Sequence, residues 1–271
     1  MLTADATLPG LASPAGQGGE LHMPSTPAAT SGQEGYPEDP KFLISAARRM
    51  LYREGLDSQI GGHVSLRVPG EDAFWVTPFQ YFDETLPEHV SKVGFDLVVR
   101  EPGTLPASPG INFHASVMQA RPDVNCVVHT HARNMSVLTT TGEPFGNYYT
   151  YAGLFHDDVG YFRDDLSLTP DQEGDAIVAA LGSKRVVLMS HHGSVHAGDT
   201  IERTVAEAIV FELCCGYQVA AMAVGGKPLD DATARTYRDS YIRNGFRELI
   251  WEANFRRLRR SDPDLFEAAG R

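Results

Sequence analysis

Two apolar runs in this 271-residue chain end in histidine. Val124-Asn125-Cys126-Val127-Val128 runs into His129-Thr130-His131, and Val186-Val187-Leu188-Met189 runs into Ser190-His191-His192-Gly193. Short apolar runs rich in β-branched residues predict strands. Residues i and i+2 of a strand point to the same side, so His129 and His131 aim their imidazoles at one place. Two strand ends can thus offer three neutral ring nitrogens to one divalent cation and leave coordination positions open, as catalytic metal sites require. His192 is the expected third ligand rather than His191, because the residue immediately before Gly193 is better placed to turn inward. A lone histidine at a strand end is more often packing; a His-X-His pair with a second histidine strand end favours metal. Three imidazoles accept iron, zinc, manganese or cobalt, so the metal stays open at this point.

Weaker candidates surround this set. Gly61-Gly62-His63-Val64-Ser65 reads as a glycine turn entering a strand. Its glycines, Gly62 among them, permit close backbone approach to a ligand, and His63 would project from the turn. Thr77-Pro78-Phe79-Gln80 follows a strand and could line a pocket through Thr77 and Phe79; a plain turn with a buried phenylalanine explains it equally well. His114 opens a helical segment with Val117 and Met118, where a hydrogen-bonded structural histidine is the favoured reading. Tyr148, Tyr149, Tyr151, Tyr237 and Tyr241 offer a proton donor, although most tyrosines pack.

The elements that must position these residues are legible in outline. Residues 1–37 are rich in Gly, Pro, Ala, Ser and Thr and cannot bury enough surface to offset their ordering entropy; they are expected to form a disordered or loosely draped arm, leaving residues 38–271 as one metal-binding domain. Asp39 with Pro40 predicts a helix start, and Gly55 its end. Strands are expected over 64–68 and 73–77, about the Pro69-Gly70 turn, and at Leu97-Val98-Val99. Helices are expected over 112–120 and 132–140, and near 171–181, closed by Gly182. Residues 143–168 should mix short strands and loops. Asp199 to Glu202 resembles a capping box opening a helix to Val224, and a last amphipathic helix is expected from about 231 to 260. The layout predicts an α/β domain with helices over a sheet.

The net charge of -12 and sequence pI near 5.2 argue against nucleic acid as a partner. No uninterrupted apolar run approaches the roughly 18–20 residues of a membrane span, and the start of the chain lacks the pattern of a secretory signal. Three cysteines give no disulfide framework, so a reducing cytoplasm is the expected setting.

Taken together, Gly61-Gly62-His63-Val64-Ser65, Phe113-His114 leading to Arg121-Pro122-Asp123, Val127-Val128-His129-Thr130-His131 and His192-Gly193 resemble the class II aldolase/adducin family over roughly residues 40–250. The resemblance implies a three-layer α/β/α sandwich with a central, largely antiparallel sheet. It also implies a homotetramer with the metal near a subunit boundary, where a C-terminal residue such as Tyr241 would reach a neighbour's site. Sugar-phosphate aldolases of this family carry a metal-associated glutamate before the Phe-His pair, a serine pair, and a small-residue phosphate turn. Here Gly110 stands at the glutamate position and Pro109 at one serine position, while Ser108 keeps the other. Phe79 replaces the small residue of the turn, and His63 replaces an asparagine.

These departures make phosphorylated sugars poor substrates. Trp75-Val76-Thr77-Pro78-Phe79, Pro109-Gly110 and Pro263-Asp264-Leu265-Phe266 are more similar to the non-heme iron oxygenases of the clorobiocin and novobiocin pathways. That resemblance implies an Fe(II)- and O2-dependent oxidative decarboxylation of a small hydroxy- or keto-acid, with His129, His131 and His192 as ligands. His63, His114 and Tyr241 would be the catalytic candidates, and Gly62, His63, Thr77, Phe79 and Ser108 the substrate contacts. The alternatives are a zinc- or manganese-dependent aldolase or decarboxylase without O2, and an adducin-like interaction module without turnover.

Overall fold

The computed structural model describes residues 37–165 and 167–270. The arm expected over residues 1–37 lies outside them apart from Pro37. The first helix, α1 (Pro40–Arg53), starts as its sequence predicts: Asp39 Oδ1 accepts from Lys41 N at 3.1 Å, with Pro40 in the first turn.

A hairpin of β1 (His63–Arg67) and β2 (Ala73–Val76) follows, then β3 (Ser91–Gly94) and β4 (Val99–Glu101). The strand expected at Leu97-Val98-Val99 begins only at Val99. Leu97 takes φ 63° and closes a turn to Gly94, so Leu97 and Val98 lie exposed between two strands rather than in one. Its partner β3 has a half-polar sequence, Ser-Lys-Val-Gly, that gives no apolar signal.

Next come α2 (Asn112–Ala120), β5 (Cys126–Thr130), α3 (Arg133–Thr140), β6 (Val159–Phe162), α4 (Pro170–Leu181), β7 (Val186–Met189) and β8 (Ser194–Gly198). The eight strands form one sheet in the order β4-β3-β2-β1-β5-β8-β7-β6, antiparallel throughout except for the parallel pair β6–β7. The sequence places β5 and β7 correctly but misses β8, which lies between them.

The chain ends with α5 (Ile201–Ala223), α6 (Asp231–Arg243), α7 (Phe246–Ser261) and α8 (Pro263–Ala269). The cap of α5 is Thr200, whose hydroxyl accepts from Arg203 N, while Asp199 pairs with the Arg203 side chain; the Asp199–Glu202 box does not form. The single last helix expected over 231–260 is two, broken where Gly245 takes φ 62°. Arg49 of α1 then clamps α8, reaching Asp262 at 3.2 Å and Asp264 at 2.7 Å. By length and composition α5 could cross a membrane, although charged residues interrupt its apolar sequence. It is a core helix here, with Glu207 and Glu212 buried on it.

Two cores sit on opposite faces of the sheet. Val64, Cys126, Val128, Val186 and Leu188 pack with residues of α1, α3, α5, α7 and α8. Phe74, Val76, Val127, Val187 and Val195 pack with α2 and α4. The domain is therefore an α/β/α sandwich. All five residues of β5 are buried. A one-residue slip of β5 would exchange its two faces, driving histidine into the α5 layer, so packing on both sides of β5 fixes the direction of His129.

Candidate metal centre

His129 shares the face of Val127, toward α2. In the β1–β5 ladder it lies opposite His63, with ring centroids 4.9 Å apart, and Phe113 of α2 meets it edge-on at 5.3 Å. His131 follows two residues later, just past the strand end. The third imidazole arrives by a hairpin. Residues 190–193 turn between β7 and β8, with His191 exposed at φ 57° and His192 turned inward. Gly193 is needed there, since a Cβ would stand 2.1 Å from Thr130 O. Gly62 serves the other side: its φ is 100° and a Cβ would stand 2.8 Å from His129 O.

The three Nε2 atoms converge. His131 Nε2 lies 2.8 Å from His129 Nε2 and 2.9 Å from His192 Nε2, and one nitrogen from each ring falls within 4.8 Å of the others. Their Nδ1 atoms face the protein instead. His129 Nδ1 is 2.9 Å from Ser194 O. A carbonyl only accepts, so His129 carries its hydrogen on Nδ1 and presents a lone pair at Nε2. His131 Nδ1 is 3.0 Å from Ser58 Oγ. His192 Nδ1 is 2.9 Å from Asp164 Oδ2, close enough for an ion pair but not aligned as a hydrogen bond. Burial holds the His129 pKa well below the usual histidine value, reinforced by its histidine neighbours, and lowers that of His131 to about 4. Neutral, oriented imidazoles are what a divalent cation requires, so this donor set fits a metal.

Beside it runs a second line of polar groups. His63 Nδ1 is 2.8 Å from His114 Nε2, and His114 Nδ1 is 2.6 Å from Ser65 Oγ. Both histidines are buried, which keeps their pKa values well below the ordinary range. His63 Nε2 faces Gly110 across 3.6 Å to where a Cβ would be. His114 is therefore hydrogen-bonded at both ends, as its helix position predicts, and its partner is another site histidine.

A pocket of about 220 Å³ opens against His129, His131 and His192, lined by Gly62, His63, Phe79, Gly110, Phe113 and Glu173 among others. Thr77 and Ser108, expected at the substrate, stand behind its wall. The Thr77 hydroxyl accepts from Val64 N of β1 at 3.3 Å, and Ser108 Oγ donates to Pro78 O, on the turn that presents Phe79, at 2.9 Å, so both hydroxyls face backbone groups rather than the pocket. Tyr241 does not reach this pocket from its own chain; it packs with Tyr151, Tyr237 and Phe246 in a separate aromatic cluster.

Residues 43–219 match the class II aldolase and adducin N-terminal domain. The chain belongs to this family. Class II aldolase relatives divide by chemistry. The chain is 28% identical over 210 residues to 4-hydroxy-3-prenylphenylpyruvate oxygenase/4-hydroxy-3-prenylbenzoate synthase of Streptomyces roseochromogenus, covering 72% of this chain and 73% of that one. It is 25% identical over 206 residues to 3,4-dihydroxyphthalate decarboxylase of Rhodococcus jostii, covering 71% and 84%. Among solved structures, L-fuculose 1-phosphate aldolase from Glaciozyma antarctica superposes with a TM-score of 0.75 at 24% identity, covering 83% and 90%, which establishes the shared fold.

Three polar residues around these histidines carry little sequence signal. Ser58 lies in an irregular loop, and Glu173 on a helix whose placement cannot be read from its own residues. Asp164 reaches the site because β6 is parallel to β7 and so ends at the same edge as the His192 turn. A carboxylate behind a ligand histidine orients the ring and raises its basicity. Asp164→Asn is expected to weaken divalent-metal affinity about 10–100-fold with no change in thermal unfolding of the metal-free protein. Chelator competition measures this, and equal affinity would deny Asp164 the role.

Proposed function

We propose that this chain is a metal-dependent enzyme that cleaves a carbon–carbon bond in a small, non-phosphorylated hydroxy- or keto-acid, by Fe(II)- and O2-dependent oxidative decarboxylation. The observation that carries the reading is the convergence of three imidazole Nε2 atoms on a small, mostly apolar pocket. No lysine, arginine, serine or threonine appears among its described lining residues, so no side chain there is suited to hold a phosphate dianion. One carboxylate of an acid needs no such cradle if a cation receives it.

His129, His131 and His192 would hold the metal, with Fe(II) favoured and Zn(II) or Mn(II) the alternatives. Bound there, the metal supplies positive charge for the substrate's carboxylate and α-oxygen and, as iron, electrons for dioxygen. The chain's own residues do the rest. Phe79 and Phe113 give the pocket an apolar lining, and Gly62 leaves room against the sheet edge. His63 presents Nε2 at the pocket while His114 and Ser65 hold its other nitrogen, so a proton taken up or released at His63 has a path inward. The names of the oxygenase and decarboxylase relatives support acid substrates. We assign the active form to a homotetramer, in which Tyr241 would serve a neighbouring site.

The His63–His114–Ser65 line also supports a second reading, a zinc- or manganese-dependent lyase that needs no oxygen, with His63 as base. Metal content of protein purified anaerobically, followed by oxygen uptake after Fe(II) and candidate acids are added, separates the two. Iron near one equivalent per chain with acid-dependent uptake is the expected result. Tightly held zinc or manganese with no uptake after exchange for iron would transfer the assignment to the lyase. Failure to bind any divalent metal would overturn both.

A further inference from the structure

One acidic side chain enters the pocket wall from the helical layer. Glu173, near the start of α4, shares the lining with His63, Phe79, Gly110 and the metal histidines. Two features of α2 fix it there. Asn112 Nδ2 donates to Glu173 Oε2 at 3.0 Å and to Pro170 O at 2.8 Å, so both hydrogens of that amide are spent on α4. Gly174 touches the same helix: a Cβ would stand 2.2 Å from Ser116 Oγ, so glycine lets α4 come this close. Among the described residues Glu173 Oε1 has no hydrogen-bond partner.

Besides Glu173, His63 Nε2 faces the pocket without a partner among the described residues; the other ring nitrogens are committed. The Nε2 atoms of His129, His131 and His192 face one another, and His63 Nδ1 is taken by His114. An acidic substrate seated beside Glu173 would meet like charge, so its carboxylate belongs at the cation, and Glu173 is left to attract a neutral donor. The volume suits this. A cavity of roughly 150 Å³ takes benzene, so the pocket of about 220 Å³ has room for one ring with a short acid side chain.

We propose that Glu173 accepts a hydrogen bond from a hydroxyl carried by the substrate away from its carboxylate, and thereby selects hydroxylated acids over their deoxy counterparts. The proposal rests on the reading that the acid is held at the three histidines. The plainer role, a negative charge near the N-terminus of α4 alongside Asp171, predicts no selectivity at all.

The matched pair 4-hydroxyphenylpyruvate and phenylpyruvate differs by one hydroxyl. Both are titrated calorimetrically into zinc-loaded protein, which does not turn them over oxidatively. A hydrogen bond to a charged acceptor gives the wild type about a 10–100-fold preference for the hydroxylated acid. Glu173→Leu should bring that ratio to near one and Glu173→Gln should lower it, with zinc content held within about twofold. Equal binding of both acids by the wild type, or a ratio that survives both substitutions, would overturn the proposal. If neither acid binds the zinc-loaded protein, the chelation reading falls and this proposal with it. Should the leucine variant fail to fold, the isosteric glutamine variant still decides the matter.

Discussion

The double variant His129→Ala/His131→Ala is expected to lose divalent-metal binding by about four orders of magnitude or more and to retain no metal through desalting. Structural zinc sites are worth about 10–16 kcal/mol for four ligands, so one ligand contributes about 2.5–4 kcal/mol, or about 100–1000-fold. Removing two of three compounds that loss. The fold should survive it. Beyond its contact with His131, which the double variant also removes, the His129 ring makes one hydrogen bond, to Ser194 O, and Ser194 is also held in the β5–β8 ladder opposite Thr130. Circular dichroism and chelator-treated thermal unfolding provide the control, and His192→Ala, on the turn, gives a version that leaves β5 untouched. Metal bound by the double variant with wild-type affinity would mean that the three rings are packing residues. Under the interaction-module reading the variant would keep every function, whereas the enzyme reading requires turnover to fall to background.

How much of this site could be read from the sequence follows from which signals are local. His129 and His131 lie on one strand, so the two-residue period alone brings them together, and the resemblance to the family names the same pair. His192 follows an apolar run and precedes a glycine, and the choice of it over His191 matches the geometry: the turn sends His191 outward at a positive φ. The sequence did not reveal that β8 separates the two histidine strands. Ser194-Val195-His196-Ala197-Gly198 is too short and mixed to stand out, yet it supplies the Ser194 carbonyl that orients His129. Thr77 and Ser108 lie near the pocket in sequence terms but have their hydroxyls turned into the wall, one on the Val64 amide of β1 and one on the Pro78 carbonyl.

Non-local contacts explain the remaining gap. Glu212 is an example: buried on α5, it accepts from the first amides of α3, Asn134 N at 2.8 Å and Met135 N at 2.9 Å. Ser136 of that helix donates to His192 O at 2.7 Å. One helix thus starts just after His131 and grips the turn of His192, a link no spacing rule predicts. Asp164 and Glu173 likewise depend on which helix or strand becomes a neighbour. Local periodicity finds the ligands, and the tertiary fold supplies the groups that aim them.

Acid should unfold the metal-free protein well above the pH at which carboxylates protonate. His63, His114, His129 and His196 are all buried and all have pKa values lowered by desolvation, that of His196 to about 3. The unfolded chain takes up protons at these positions near pH 6.5, and the native state refuses them. The unfolded state therefore binds more protons below pH 6.5, so stability is fully present above that pH and is lost as pH falls toward the folded values. Each such histidine costs about 1 kcal/mol between pH 7 and 5.5. Glu207 and Glu212 act with the opposite sign, since burial raises both, and soften the fall. A net loss of about 3–5 kcal/mol is a large share of the 5–15 kcal/mol available to a domain. The urea midpoint of chelator-treated protein should drop steeply over this range. His196→Gln, outside the metal set, should make the drop shallower by one histidine's share. Saturating metal at pH 7 adds about 4 kcal/mol at a thousandfold excess over Kd, because it binds only the neutral, converged rings. A midpoint that stays level from pH 7 to 5.5 without metal would show that the buried imidazoles take up their protons inside the fold.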